Sequence, residues 1–91
     1  MLLLEEIIRE SVEGGHRILL FSQYTSMLQI IRKKLESMKI SSLYLDGSTP
    51  VSDRGYLVNS FNKGSGDVFL ISLKAGGTGL NLTGADMVIH Y

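Results

Sequence analysis

Two short runs without a polar residue, Ile18-Leu19-Leu20-Phe21 and Val68-Phe69-Leu70-Ile71, limit what this chain can become more than any other feature. A strand with one wet face alternates apolar and polar residues; residues 17–21 are nearly continuous instead, the pattern of a strand covered on both faces. The stretches around these runs keep helical spacing. Leu3, Leu4, Ile7, Ile8 and Val12 fall on one helical face, which Gly14-Gly15 then stops. Met27, Leu28, Ile31, Leu35 and Met38 form a second such face, with Ser22 or Thr25 as its cap. A third helix is predicted from near Ser52, burying Leu57, Val58 and Phe61 before Asn62-Lys63-Gly64-Ser65-Gly66 breaks it. Strands are predicted at residues 17–21, 42–45, 68–71 and 87–91. Strands separated by helices of this length form βαβ units with right-handed crossovers. The expected fold is α/β, a three-layer α/β/α sandwich around a parallel sheet.

Size and composition narrow the possibilities. At 91 residues the chain is one small domain or part of one, and its core is only marginally sufficient alone. It stops within or just after an apolar strand with no helix to cover that strand, so the expectation is a fragment of a longer domain. No apolar run is long enough to cross a bilayer and the first residues lack a signal-peptide pattern, so no membrane partner is expected. The absence of cysteine excludes disulfides, thiolate metal sites and cysteine nucleophiles, and fits a reducing interior. His16 and His90, far apart and without carboxylates at ligand spacing, give no case for zinc. Net charge is zero, so no whole-molecule field attracts a polyanion. Charge is uneven, however: Glu5, Glu6, Glu10 and Glu13 against Arg9 give 1 − 4 = −3 over residues 1–13, leaving +3 elsewhere. Arg32, Lys33, Lys34 and Lys39 supply much of that, either as a solvated helix end favoured by the dipole or as a phosphate-contacting patch.

The run Ser72-Leu73-Lys74-Ala75-Gly76-Gly77-Thr78-Gly79-Leu80-Asn81-Leu82 follows directly on the third strand. Glycine allows a backbone to approach a ligand as a β-carbon would not, and in open parallel sheets ligands bind beside the carboxyl ends of strands. Asp46-Gly47-Ser48-Thr49-Pro50, after the second strand, falls at the same edge, which makes Gly47 and Ser48 candidates for contact with a polyanion. Ser22 has two readings there, phosphate ligand or helix cap.

Three blocks taken in order resemble the C-terminal helicase lobe of the Snf2 (Swi2/Snf2) family within helicase superfamily two. They are Ile18-Leu19-Leu20-Phe21-Ser22-Gln23-Tyr24-Thr25; Tyr44-Leu45-Asp46-Gly47-Ser48-Thr49 with Arg54 and Phe61-Asn62; and residues 68–82 with Ala85-Asp86 and Val88-Ile89. The likeness covers roughly residues 15–91. It implies a RecA-like second lobe and a DNA-dependent ATPase that moves on double-stranded DNA. It implies ATP and Mg, held mainly by a first, N-terminal RecA-like lobe, and an intracellular setting, the nucleus in a eukaryote or the cytoplasm or nucleoid in a bacterium. On this resemblance Gly77, Gly79 and Asn81 belong to nucleotide binding. Ser22, Gln23, Gly47, Ser48, Ser72, Lys74, Ala75 and Gly76 belong to DNA binding, and Arg54 either steadies Asp46 or another loop acid or touches DNA. No Gly-x-x-x-x-Gly-Lys-Ser/Thr occurs, so the phosphate cradle of a first lobe is lacking, and the family's arginine-bearing sixth motif would come after Tyr91. No catalytic residue is therefore assigned, and the chain alone is expected neither to hydrolyse ATP nor to bind it tightly. The alternatives are a free-standing Rossmann-like module for a nucleotide or other phosphorylated ligand, which Phe21-Ser22-Gln23-Tyr24 disfavours by lacking glycine at the first turn, and a binding-only scaffold.

Overall fold

The computed structural model describes residues 2–75 and 83–91. Its elements run α1 (Leu2–Glu13), β1 (Ile18–Ser22), α2 (Thr25–Ser37), β2 (Ser42–Leu45), α3 (Val51–Asn62), β3 (Val68–Ser72), a 3₁₀ turn (Leu73–Ala75) and β4 (Met87–His90). All pairs are parallel, in the order β2-β3-β1-β4. The chain moves from β1 outward to β2 through α2, then back to β3 through α3. Right-handed crossovers taken in opposite directions must lie on opposite faces, and they do.

On one face α1 and α2 bury Leu4, Ile8, Leu28, Ile31 and Leu35 against Ile18, Leu20, Val68 and Leu70. On the other, Val58 and Phe61 of α3 pack with Leu19, Leu45, Phe69 and Ile71. The expected three-layer sandwich is thus present, and the first four residues of β1 and of β3 are all apolar because each strand is covered twice. Both strands run one residue past their apolar pattern, since Ser22 and Ser72 still pair in the ladder although both are polar.

Each helix ends in the same way. His16 N–H donates to Ser11 O and Gly15 N–H to Val12 O; Ile40 to Leu35 and Lys39 to Glu36; Ser65 to Ser60 and Gly64 to Phe61. These are Schellman closures, in which a residue at positive φ turns the chain out of the helix. Gly15 and Gly64 supply it without strain at φ 85° and 112°, whereas Lys39 is forced to φ 59°. The left-handed conformation costs a residue with a β-carbon about 1–2 kcal/mol. Lys39→Gly is accordingly expected to stabilise the chain by about 1 kcal/mol and raise its Tm by roughly 4–8 °C; an unchanged or lower Tm would show that the strain is absent.

Candidate functional site

Because every strand is parallel, the segments leaving β2, β3 and β1 emerge side by side at one edge of the sheet. The register makes this concrete: Leu45 pairs with Ile71, and Ser72 with Ser22. Asp46-Gly47-Ser48, Ser72-Leu73-Lys74 and Ser22-Gln23-Tyr24 are therefore brought together at that edge.

Ser22 and Ser72 are buried, and each hydroxyl accepts from the amide two residues on, Tyr24 N–H at 3.1 Å and Lys74 N–H at 3.2 Å. Both therefore tighten the turn out of their strand. Ser22 does so without being the N-cap of α2, a position taken by Tyr24, which makes no side-chain cap bond. Gln23 Nε2 donates to the Tyr24 hydroxyl at 2.9 Å, and both side chains are exposed. Lys74 is exposed and has no ion-pair partner among the described residues.

The loop after β2 is built around one carboxylate. Asp46 Oδ1 accepts from Ser48 N–H at 2.9 Å and from the Ser48 hydroxyl at 2.6 Å, while Oδ2 accepts from the Tyr44 hydroxyl at 2.8 Å. These bonds, led by the Ser48 hydroxyl, hold the Asp46 carboxyl below its ordinary value. Burial and then Asp46 push the Tyr44 hydroxyl up. Arg54 closes the loop by donating from Nε to Thr49 O at 3.1 Å and from Nη2 to Gly47 O at 3.5 Å. A phosphate approaching Ser48 would find both its donors facing Asp46; Gly47 has open space around it.

Two of the cations of α2, Arg32 and Lys34, are engaged by other side chains. Lys34 Nζ lies 2.9 Å from Glu5, and Arg32 sits 3.8 Å from Glu36 and over the Tyr44 ring. Gly76, Gly77, Gly79 and Asn81 lie outside the described residues, and of Ala75 only the backbone is described, closing the 3₁₀ turn. Among the described residues no group of three histidines, cysteines or carboxylates gathers to hold a metal, and no helix is long and apolar enough to cross a membrane.

Sequence reasoning missed a second polar cluster at the opposite edge of the sheet. Arg17 N–H donates to Asp86 Oδ1 at 2.8 Å and His16 Nδ1 to Asp86 Oδ2 at 2.6 Å. The Arg17 guanidinium donates to Gly84 O, Ser65 O and Gly66 O and lies 4.0 Å from the Phe61 ring centroid. Asn62 Oδ1 accepts from Thr83 and Gly84 N–H. No periodicity marks such residues, because their partners are many tens of residues away in the chain.

The bond from His16, then that from the Arg17 amide, hold the Asp86 carboxyl below the ordinary 3.8. A lowered folded pKa contributes stability above the unfolded value and loses it as pH falls through the folded one. The Tm is thus expected to fall below about pH 4 more steeply in the natural chain than in Asp86→Asn. Parallel acid profiles would remove Asp86 from the acid response.

Layers, strand order and an all-parallel sheet together define a RecA-like lobe of the kind found in nucleotide-driven motors. A model of the helicase conserved C-terminal domain matches residues 1–91. The chain is 48% identical over 89 residues to the ATP-dependent helicase fft2 of Schizosaccharomyces pombe, covering 97% of this chain and 7% of that protein. It is 48% identical over 90 residues to Protein CHROMATIN REMODELING 19 of Arabidopsis thaliana, covering 97% and 12%. Among solved structures, the C-terminal part of the Fun30 ATPase domain superposes with TM-score 0.87 at 36% identity, covering 97% of this chain and 29% of that one. The Sulfolobus solfataricus SWI2/SNF2 ATPase C-terminal domain superposes with TM-score 0.84 at 33% identity, covering 98% and 40%. The chain belongs to the helicase conserved C-terminal domain family, in its Snf2 branch. It spans about a tenth of the length of the curated relatives it matches.

Proposed function

We propose that this chain is the front part of the second motor lobe of an ATP-dependent double-stranded DNA translocase, supplying DNA-backbone contact and nucleotide sensing to a cleft completed by a first RecA-like lobe. The observation that carries this is the gathering of Ser22-Gln23, Gly47-Ser48 and Ser72-Lys74 at one edge of a parallel sheet. The exposed Gln23 side-chain amide, the open approach at Gly47 and Lys74, a cation with no ion-pair partner among the described residues, suit phosphate oxygens and read no base identity, which is what tracking along any sequence requires. Gly76 extends the DNA-facing set, and Gly77, Gly79 and Asn81 are assigned to the nucleotide. ATP and its Mg are held mainly by the other lobe. The named relatives support this reading as an ATP-dependent helicase and a chromatin-remodelling protein, and the setting it implies is the nucleus in a eukaryote.

The test uses the full-length polypeptide that carries this chain. Its ATP turnover should rise on adding duplex DNA, and the chain alone should show none. Lys74→Ala should raise the DNA concentration needed for half-maximal stimulation and reduce the salt slope of binding by about one. Replacing Gly79 or Asn81 should uncouple turnover from DNA. ATP hydrolysis by the chain alone would overturn the proposal, as would full-length turnover indifferent to DNA.

A further inference from the structure

Opposite the edge that carries Ser22, Ser48 and Ser72 lies the cluster around Arg17 and Asn62. β3 delivers the chain to that edge at Ala75, whereas Thr83 and Gly84 lie at the start of β4, against the end of α3. Thr83 and Gly84, which follow the glycine-rich run in the sequence, are fixed by described bonds. Asn62 Oδ1 accepts from two successive amides, Thr83 N–H at 3.0 Å and Gly84 N–H at 2.9 Å, which sets the direction of the incoming chain as well as its place. Arg17 Nη1 donates to Gly84 O at 2.9 Å, so the same residue is held through both of its backbone polar groups. A β-carbon on Gly84 would stand 2.8 Å from Arg17 Nη1 and 2.9 Å from Asn62 Cα and Phe61 O, so the segment lies directly on the helix end. Beyond it, Asp86 is tied to His16 and to the Arg17 amide.

We propose that Asn62, backed by Arg17, is a positioning residue for DNA-coupled turnover: it fixes the downstream anchor of the glycine-rich run and thereby where that run meets its ligands. This rests on the function proposed above. Asn62 touches neither nucleotide nor DNA in this scheme; its bonds to Thr83 and Gly84 are what position the run. A shift of the order of 1 Å at a positioning contact is enough to lower turnover by one or two orders of magnitude.

The experiment compares Asn62→Ala and Asn62→Asp in the full-length polypeptide, with DNA-stimulated and basal ATP turnover measured well below each variant's Tm. Amide hydrogen exchange at Thr83 and Gly84 is read in parallel. Asn62→Ala should speed exchange at those two amides and lower DNA-stimulated turnover roughly tenfold or more relative to basal. Asn62→Asp, which keeps an oxygen to accept both amides, should recover most of the loss. If Asn62→Ala does not fold, Asn62→Ser, too short to reach both amides, takes its place. A folded variant with faster exchange but normal DNA stimulation overturns the positioning role, and so does an Asn62→Asp variant as impaired as the alanine. Natural protein whose turnover ignores DNA would instead bring down the proposed function, and this inference with it.

Discussion

Replacing Phe69 with alanine is expected to destabilise the chain by about 3–5 kcal/mol, the usual range for emptying a buried aromatic site. Phe69 is wholly buried on β3, which pairs with both β1 and β2, and its ring lies 5.3 Å from that of Phe61 at 54°. The tilted pair adds about 0.5–1.5 kcal/mol beyond the area it covers. Neighbours cannot close the space easily, since Leu19, Leu45 and Ile71 are fixed by the ladder and Phe61 by α3. A domain of this length has a total stability on the order of 5–14 kcal/mol. The variant should therefore lose a large part of its denaturant midpoint and at least 12 °C or so of Tm. Phe69→Leu, which keeps most of the volume, should lose well under half as much. A loss below about 1 kcal/mol for the alanine variant would mean that the two rings do not form the centre of this face.

Arg17→Ala is the second large effect, expected at about 2–4 kcal/mol. Its guanidinium donates four bonds to three carbonyls: Gly84 at 2.9 Å, Ser65 at 3.0 Å, and Gly66 at 2.7 and 3.2 Å. Bonds from a charged donor contribute about 1.5–3 kcal/mol each when truncated singly, but they are not additive, and carbonyls left at a partly exposed edge regain water. The Phe61 ring beneath the guanidinium adds about 0.5–2 kcal/mol. Arg17→Lys should recover less than half, because one ammonium cannot span carbonyls that a planar fork reaches together. Urea titrations of all three proteins provide the check. A lysine variant as stable as the natural chain would show that charge, rather than the fork, is what matters.

The layers, the parallel sheet and every strand were legible because apolar spacing is a local signal, and strand ends fell within one residue of their expected places. The exceptions have physical causes. Ser22 and Ser72 are polar, so pattern ends before them, yet the ladder continues because backbone pairing is indifferent to the side chain. Lys39 carries no mark of its left-handed conformation, since the closure of α2 imposes it. At the site, Ser22, Gln23, Gly47, Ser48, Ser72 and Lys74 share an edge simply because each stands at or just past the end of a parallel strand. That the Ser48 donors turn toward Asp46 depended on loop geometry no spacing encodes. The bonds from Arg17 and Asn62 to Gly84 depend on a meeting across 67 and 22 residues, and only the folded chain displays them.

The strand order carries a consequence for synthesis. Among the described residues, β1 has only β3 and β4 as neighbours, and β2 has only β3. Within these residues a nascent chain can therefore make no strand–strand ladder until residue 68 has emerged, with two apolar segments and their helices already waiting. Vectorial production leaves those segments open to self-association throughout that interval, so β3 is the keystone whose arrival converts a string of unpaired pieces into a sheet in one step.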